Sequence, residues 1–97
     1  MSETLHFEQK FEAIRRRLVA IRKLVTDDNQ SEFARKLDMH PNRWNNIERG
    51  SGLTLRVAFL ISQEFNLPIE YILEGHTARL SATKKRQLAE LERSLNK

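Results

Sequence analysis

The sequence contains no cysteine, which removes disulfides, thiolate nucleophiles and thiolate metal sites together and points to a reducing compartment. Long apolar runs are missing too. No stretch approaches the roughly 20 residues that a membrane span requires, and residues 1–6 carry nothing resembling a signal peptide. The expected location is therefore the cytoplasm, with no membrane partner. Alternation of apolar and polar residues is absent, which argues against strands. There is no glycine-rich phosphate loop and no nucleophile beside a base. His6, His40 and His76 are far apart in sequence and lack carboxylate or cysteine neighbours at metal-ligand spacing. No metal, no cofactor and no enzymatic activity is expected.

What remains is a chain of 97 residues, enough for one modest core. With 39% hydrophobic and 31% charged residues it has the composition of a soluble globular protein. Lys plus Arg outnumber Asp plus Glu by 17 to 13. Such an excess suits a polyanionic partner and suits an ordinary solvated surface equally well.

Helical spacing runs through the whole chain. Phe7, Phe11, Ile14, Leu18, Ile21 and Val25 recur at steps of four and three, one stripe of a long first helix. The basic residues Arg15, Arg16, Arg17, Arg22 and Lys23 mostly flank that stripe and read as a solvated face. "TDDN" (26–29) breaks the helix, and Asn29 is suited to cap a second one whose inward face is Phe33, Ala34 and Leu37. Asp38 ends that helix at a sharp turn, where a left-handed residue is needed and Asp is tolerated. After a third helix over 41–49 and the loop "GSGL", Thr54 can cap a fourth through about Phe65. Its apolar residues lie on most sides, which predicts a buried central helix. Asn66 can supply a left-handed cap, and Pro68 can start a short fifth helix to Leu73. "EGHTA" (74–78) reads as a hinge before a sixth helix over 81–96. That helix carries Leu88, Leu91 and Leu95 on one side and Lys84, Lys85 and Arg86 near its start.

The third helix carries the functional signal. Pro41 opens it and Gly50 follows it, yet it contains Asn42, Asn45 and Asn46. Each asparagine costs up to about 0.7 kcal/mol relative to alanine. At 100° per residue Asn42, Asn46, Arg49 and Asn45 share an arc of about 100°. Trp44 and Ile47 lie opposite, Glu48 sits beside them, and Arg43 flanks the amide face. Solvated helices generally use Glu, Lys and Gln, which cost less. A carboxamide, by contrast, offers the donor and acceptor that match adenine N6 and N7 in the major groove. Both a solvated face and a base-reading face fit the wheel.

"NQSEFARKLDMHPNRWNNIERG" (29–50) followed by "TLRVAFLISQEFNLPIEYIL" (54–73) resembles the helix-turn-helix domain of the phage repressor/Cro family, the Xre type. The resemblance covers roughly residues 14–73. It is carried by Gln30, by Ala34 at the helix crossing, by the apolar set Phe33, Leu37, Met39, Trp44 and Ile47, and by the closing Ile-Glu-Arg-Gly. It implies an all-α fold: a five-helix repressor-like helix-turn-helix domain with an additional C-terminal helix. The corresponding division is a DNA-binding domain at 7–75 and a helical extension at 76–97. It also implies that the third helix enters the major groove and that Gln30 sits on a phosphate. In the family an Arg late in the first helix pairs with the position of Glu48, and Arg22 is the match. This sequence departs from the pattern at Asp38, where Gly is usual, and at Trp44, where Ile or Val is usual. Pro41 stands where a base-reading side chain often stands, and His40 takes the place of a Ser or Thr cap.

Together these readings make the chain a sequence-specific DNA-binding transcriptional regulator acting on double-stranded DNA. Asn42, Asn45, Asn46 and Arg43 are the expected base readers. Asn29, Gln30, Arg49 and His40 are the expected phosphate contacts. The alternative is a protein-interaction module on the same fold, such as the antitoxin half of a toxin–antitoxin pair, with a protein partner covering one face. A homodimer is expected, because one such motif reads few base pairs. The leucines of the sixth helix can take part in pairing, dock on the chain's own first helix, or do both, and the expected homodimer is one in which this helix takes part.

Overall fold

A computed structural model of the chain describes residues 2–95, with side chains described over residues 11–95. Phe7 and His6 lie outside those described side chains. Among the described residues there are six helices and no strand, an all-α repressor-like fold. The helices are α1 (Ser2–Thr26), α2 (Gln30–Lys36), α3 (Pro41–Glu48), α4 (Leu55–Phe65), α5 (Ile69–Glu74) and α6 (Ala82–Ser94).

The helix ends follow local chemistry. The Asn29 side chain accepts from the Glu32 amide, that of Thr54 from the Val57 amide, and that of Ser81 from the Lys84 amide, each satisfying an otherwise orphaned first-turn donor. Asp38 adopts φ 55° and Asn66 φ 54°, both in the left-handed region. Asp27 and Asp28 do so as well, at 51° and 70°, so the break between α1 and α2 is a tight left-handed pair. The expected hinge at 74–78 is instead a closed turn. Gly75 (φ 76°) donates to the Tyr71 carbonyl at 2.9 Å, and His76 donates back to Glu70 at 3.2 Å, a Schellman-type ending. A side chain at Gly75 would also meet the Arg17 guanidinium, whose Nη1 stands 3.3 Å from an ideal Cβ position.

The core runs through α1 (Ile14, Leu18, Ile21), α2 and α3 (Phe33, Trp44, Ile47), α4 (Val57, Ile61) and α5 (Tyr71, Ile72). Phe33 is its aromatic centre, with Trp44 at 4.6 Å and Phe65 at 4.9 Å between ring centroids. Two expectations need correction. First, α4 is not buried on most sides: Leu55, Phe59 and Leu60 remain 59%, 47% and 40% exposed. Among the described residues no element covers that flank, and Val57, Ala58 and Ile61 are the buried residues of α4.

Second, the basic run of α1 is not uniformly solvated. Arg17 is buried, its Nε donating to the Ile72 carbonyl at 3.2 Å, and half-buried Arg16 donates to the Glu92 carbonyl at 3.3 Å. Arg17 thus satisfies a carbonyl in the last turn of α5, and Arg16 adds a second donor to the Glu92 carbonyl, which already accepts from the Leu95 amide at 3.2 Å.

The C-terminal helix packs on α1. Leu88 is 1% exposed and belongs to the same core, and Leu91 packs partly buried against it. Leu88 and Leu91 are thus used, at least in part, in docking α6 on the chain's own core. The Tyr71 hydroxyl donates to Glu92 at 2.7 Å and ties α6 to α5. Burial and that bond push the phenol pKa well above the usual tyrosine range. Leu88→Ala should therefore destabilise the whole fold by about 2–5 kcal/mol, as core leucine truncations do. Denaturant unfolding followed by circular dichroism checks this, and a midpoint unchanged from the parent would mean that α6 is not part of the core.

Candidate nucleic-acid interface

The interface is organised around a carboxylate held by three helices. Glu48, at the end of α3, is 8% exposed. Its Oε2 accepts from Arg22 Nε at 2.6 Å and from the Trp44 indole, and its Oε1 accepts from Arg22 Nη2 at 3.2 Å and from Gln30 Nε2 at 3.0 Å. Those four donors fill the acceptor capacity of a carboxylate. Arg22 comes from α1, Gln30 from α2 and Trp44 from α3 itself, so the expected Arg22–Glu48 pair is present and wider than expected. Arg22 Nη1 also donates to Asp28 at 2.6 Å, so two carboxylates neutralise this cation.

The same network fixes which way α3 points. Trp44, Ile47 and Glu48 are its buried residues, while Asn42, Arg43, Asn46 and Arg49 are exposed and Asn45 is half-buried. No hydrogen bond to another described group engages the carboxamides of Asn42, Asn45 or Asn46. The structure thus brings the four expected base readers onto one accessible helix, with Arg49 as its C-cap residue. At the other end the imidazole of His40 accepts from the Asn42 amide through Nδ1 at 3.1 Å. That bond requires Nδ1 to be unprotonated and leaves Nε2 as the ring's donor.

The expected phosphate group is divided. His40 and Arg49 are exposed at the two ends of α3. Asn29 is exposed at the start of α2, but its oxygen is spent on the Glu32 amide and only its NH2 group remains. Gln30 is half-buried with one N–H donated to Glu48, so its role is positional as well as accessible. A residue that sequence reasoning missed is Arg56. It lines, with Arg43, Met39 and Leu60, a groove of about 410 Å³ between the α2–α3 turn and α4. A wheel drawn for α4 would have put Arg56 outside, but attention to its apolar residues hid it. Among the described residues no group of His, Asp or Glu side chains could hold a metal ion, and no helix is long and apolar enough to cross a membrane.

Two outcomes follow from this network. Arg22→Met would strand Glu48 with neutral donors only, and losing one member of a buried pair costs roughly 3–5 kcal/mol; an unchanged thermal midpoint would show that the pair contributes nothing. Asp28 behaves differently because its carboxylate is 63% exposed. The hydrogen bond from Arg22 holds its pKa below the usual carboxylate value. A depressed folded pKa contributes stability above the unfolded value, near pH 4, which is lost as the pH falls below it. Asp28→Asn should therefore show a shallower decline of stability below about pH 4 in acid titration of unfolding.

Residues 27–72 match the family model described as helix-turn-helix. This span begins at the left-handed aspartates, contains the Glu48 network and ends at the last core residue of α5. No curated protein and no solved structure matches the chain. Residues 27–72, 46 of the 97, are thus an Xre-type helix-turn-helix segment of the Cro/C1 kind, the kind found in DNA-binding regulators.

Proposed function

We propose that the chain is a sequence-specific transcriptional regulator that lays α3 in the major groove of double-stranded DNA. The observation that carries this reading is the outward face of α3, whose asparagine carboxamides have no partner among the described residues. Three asparagines cost a short helix up to about 2 kcal/mol of propensity. A bidentate contact to adenine supplies about 1–3 kcal/mol of discrimination per base pair read. Asn42 and Asn46 are the principal base readers, with Asn45 and Arg43 at the margins of the face. Arg49 and the free Nε2–H of His40 meet the phosphates that flank the groove, and Asn29 and Gln30 meet them through the N–H groups left over from capping and from Glu48. The outward face of α3 specifies, and Arg49, His40, Asn29 and Gln30 position, the usual division in such interfaces.

The measurement is a titration of duplex DNA over a salt series, combined with selection from randomised duplexes. Asn42→Ala or Asn46→Ala should flatten the preference at one base position and leave the salt slope intact. The free variants should be marginally more stable than the parent. Arg49→Ala should weaken all sequences alike and lower the slope by about one. If every variant lost affinity uniformly, the division of labour would be wrong. Absence of binding to any duplex at low salt would overturn the DNA reading itself.

A further inference from the structure

The turn that ends α3 is held from two directions. Its own backbone closes on the helix. The Arg49 amide donates to the Asn45 and Asn46 carbonyls at 3.1 Å, that of Gly50 to Ile47 at 3.1 Å, and that of Ser51 to Asn46 at 2.9 Å. Gly50 takes φ 107°, a conformation open to glycine and strained for other residues. The second hold comes from α1. The Phe11 ring lies against Gly50, with Cε1 3.4 Å and Cζ 4.0 Å from the position a Cβ there would take. Gly52, two residues on, is also left-handed at φ 87°, yet nothing stands within 4 Å of its Cβ position. The loop is therefore backed at Gly50 and open at Gly52.

Phe11 is half-buried and lies outside the buried core, one turn before Ile14, where the buried residues of α1 begin among those described. Arg22, which holds Glu48, stands about three turns further along the same helix. Exposed Arg49 thus sits between two residues that α1 grips, Glu48 through a guanidinium and Gly50 through an aromatic ring. We infer that Phe11 is a positioning residue of the DNA interface, whose ring backs Gly50 and so sets where Arg49 meets a phosphate, a role that rests on the DNA reading proposed above. A long arginine side chain on a loose backbone loses rotamer and backbone freedom on meeting its phosphate. A backbone held on both sides has given up part of that freedom already. The roll of α3 is fixed by Glu48, so the ring acts on Arg49 and leaves Asn42, at the far end of the helix, alone.

The test uses the full chain in two arms, both read well below the thermal midpoint of every variant. In the free protein, Phe11→Ala should speed amide hydrogen exchange at Gly50 and Ser51 about tenfold more than at Leu18 and Ile21 in the core of α1. A loss of global stability alone would move all four amides together. On a duplex obtained by selection, Phe11→Ala should weaken binding about tenfold, and equally so on random duplex, while lowering the salt slope toward that of Arg49→Ala. The base preference read by Asn42 should stay as in the parent. The double variant Phe11→Ala with Arg49→Ala should bind within about twofold of Arg49→Ala alone, because the ring acts through that arginine. Phe11→Leu, a milder truncation, should move both arms in the same direction and less far. Exchange at Gly50 and Ser51 that follows the α1 core amides overturns the inference. So does a Phe11→Ala loss that adds in full to that of Arg49→Ala, or one that leaves the salt slope at the parent value. A parent that binds no duplex at low salt fails the DNA reading itself, and the positioning role falls with it whatever the exchange arm shows.

Discussion

Glu48 is a carboxylate where a carboxylate is expensive, at the junction of three helices with water almost excluded. It is tolerated because each of its acceptor positions is used, two by a guanidinium from α1, one by an indole from its own helix and one by an amide from α2. Satisfied in this way, a buried charge need not add much net stability relative to an apolar replacement. What it adds is geometry. Hydrogen bonds to both carboxylate oxygens fix the roll of α3 about its axis and its distance from α1, which apolar contacts from Trp44 and Ile47 alone would define less sharply. The bridging aspartate at 28 extends the same constraint to the left-handed break between α1 and α2.

This explains how a helix can carry so many poor helix formers. A helix of eight residues is far below the length at which isolated helices persist in water, so propensity does not decide whether α3 forms. Burial of Trp44 and Ile47, each fully enclosed, is worth about 1.5–3 kcal/mol apiece. Pro41 and the His40 cap lower the cost of starting the helix. These terms outweigh the asparagine penalty, so the outward residues are free to be chosen for what they touch.

Much of this was legible in the sequence where the physics is local. Caps at Asn29, Thr54 and Asn66, the left-handed Asp38, and the split of α3 into a buried and an amide face all follow from residue type and spacing. The Arg22–Glu48 pair was legible because the wheel set a carboxylate against the core and the family resemblance supplied a partner. Arg17 was not, because its acceptor is a carbonyl 55 positions away and nothing local marks a carbonyl that its own helix leaves unbonded. Nor was Gln30, since the same amide that can meet a phosphate can also meet Glu48. The fourth helix failed for a different reason. Its apolar residues cover nearly every direction, and only the arrangement of the other helices decides which of them stays outside.

The long first helix connects these results. Toward its C-terminus Arg22 holds α3 through Glu48, and a turn and more earlier Arg16 and Arg17 hold α6 and α5. The two sets of contacts share α1 but no partner atom, and sites without shared partners perturb stability nearly additively. Loosening α6 should therefore lower global stability without changing how α3 is aimed, because its aim is set by Glu48 and not by the C-terminal helix. The uncovered flank of α4 stands apart from both sets. Its residues face solvent and its buried residues face the core, so chemistry can change on that flank without altering the frame that orients α3. One small core thus supports two surfaces of opposite character, an amide-rich helix aimed outward and an exposed apolar helix face.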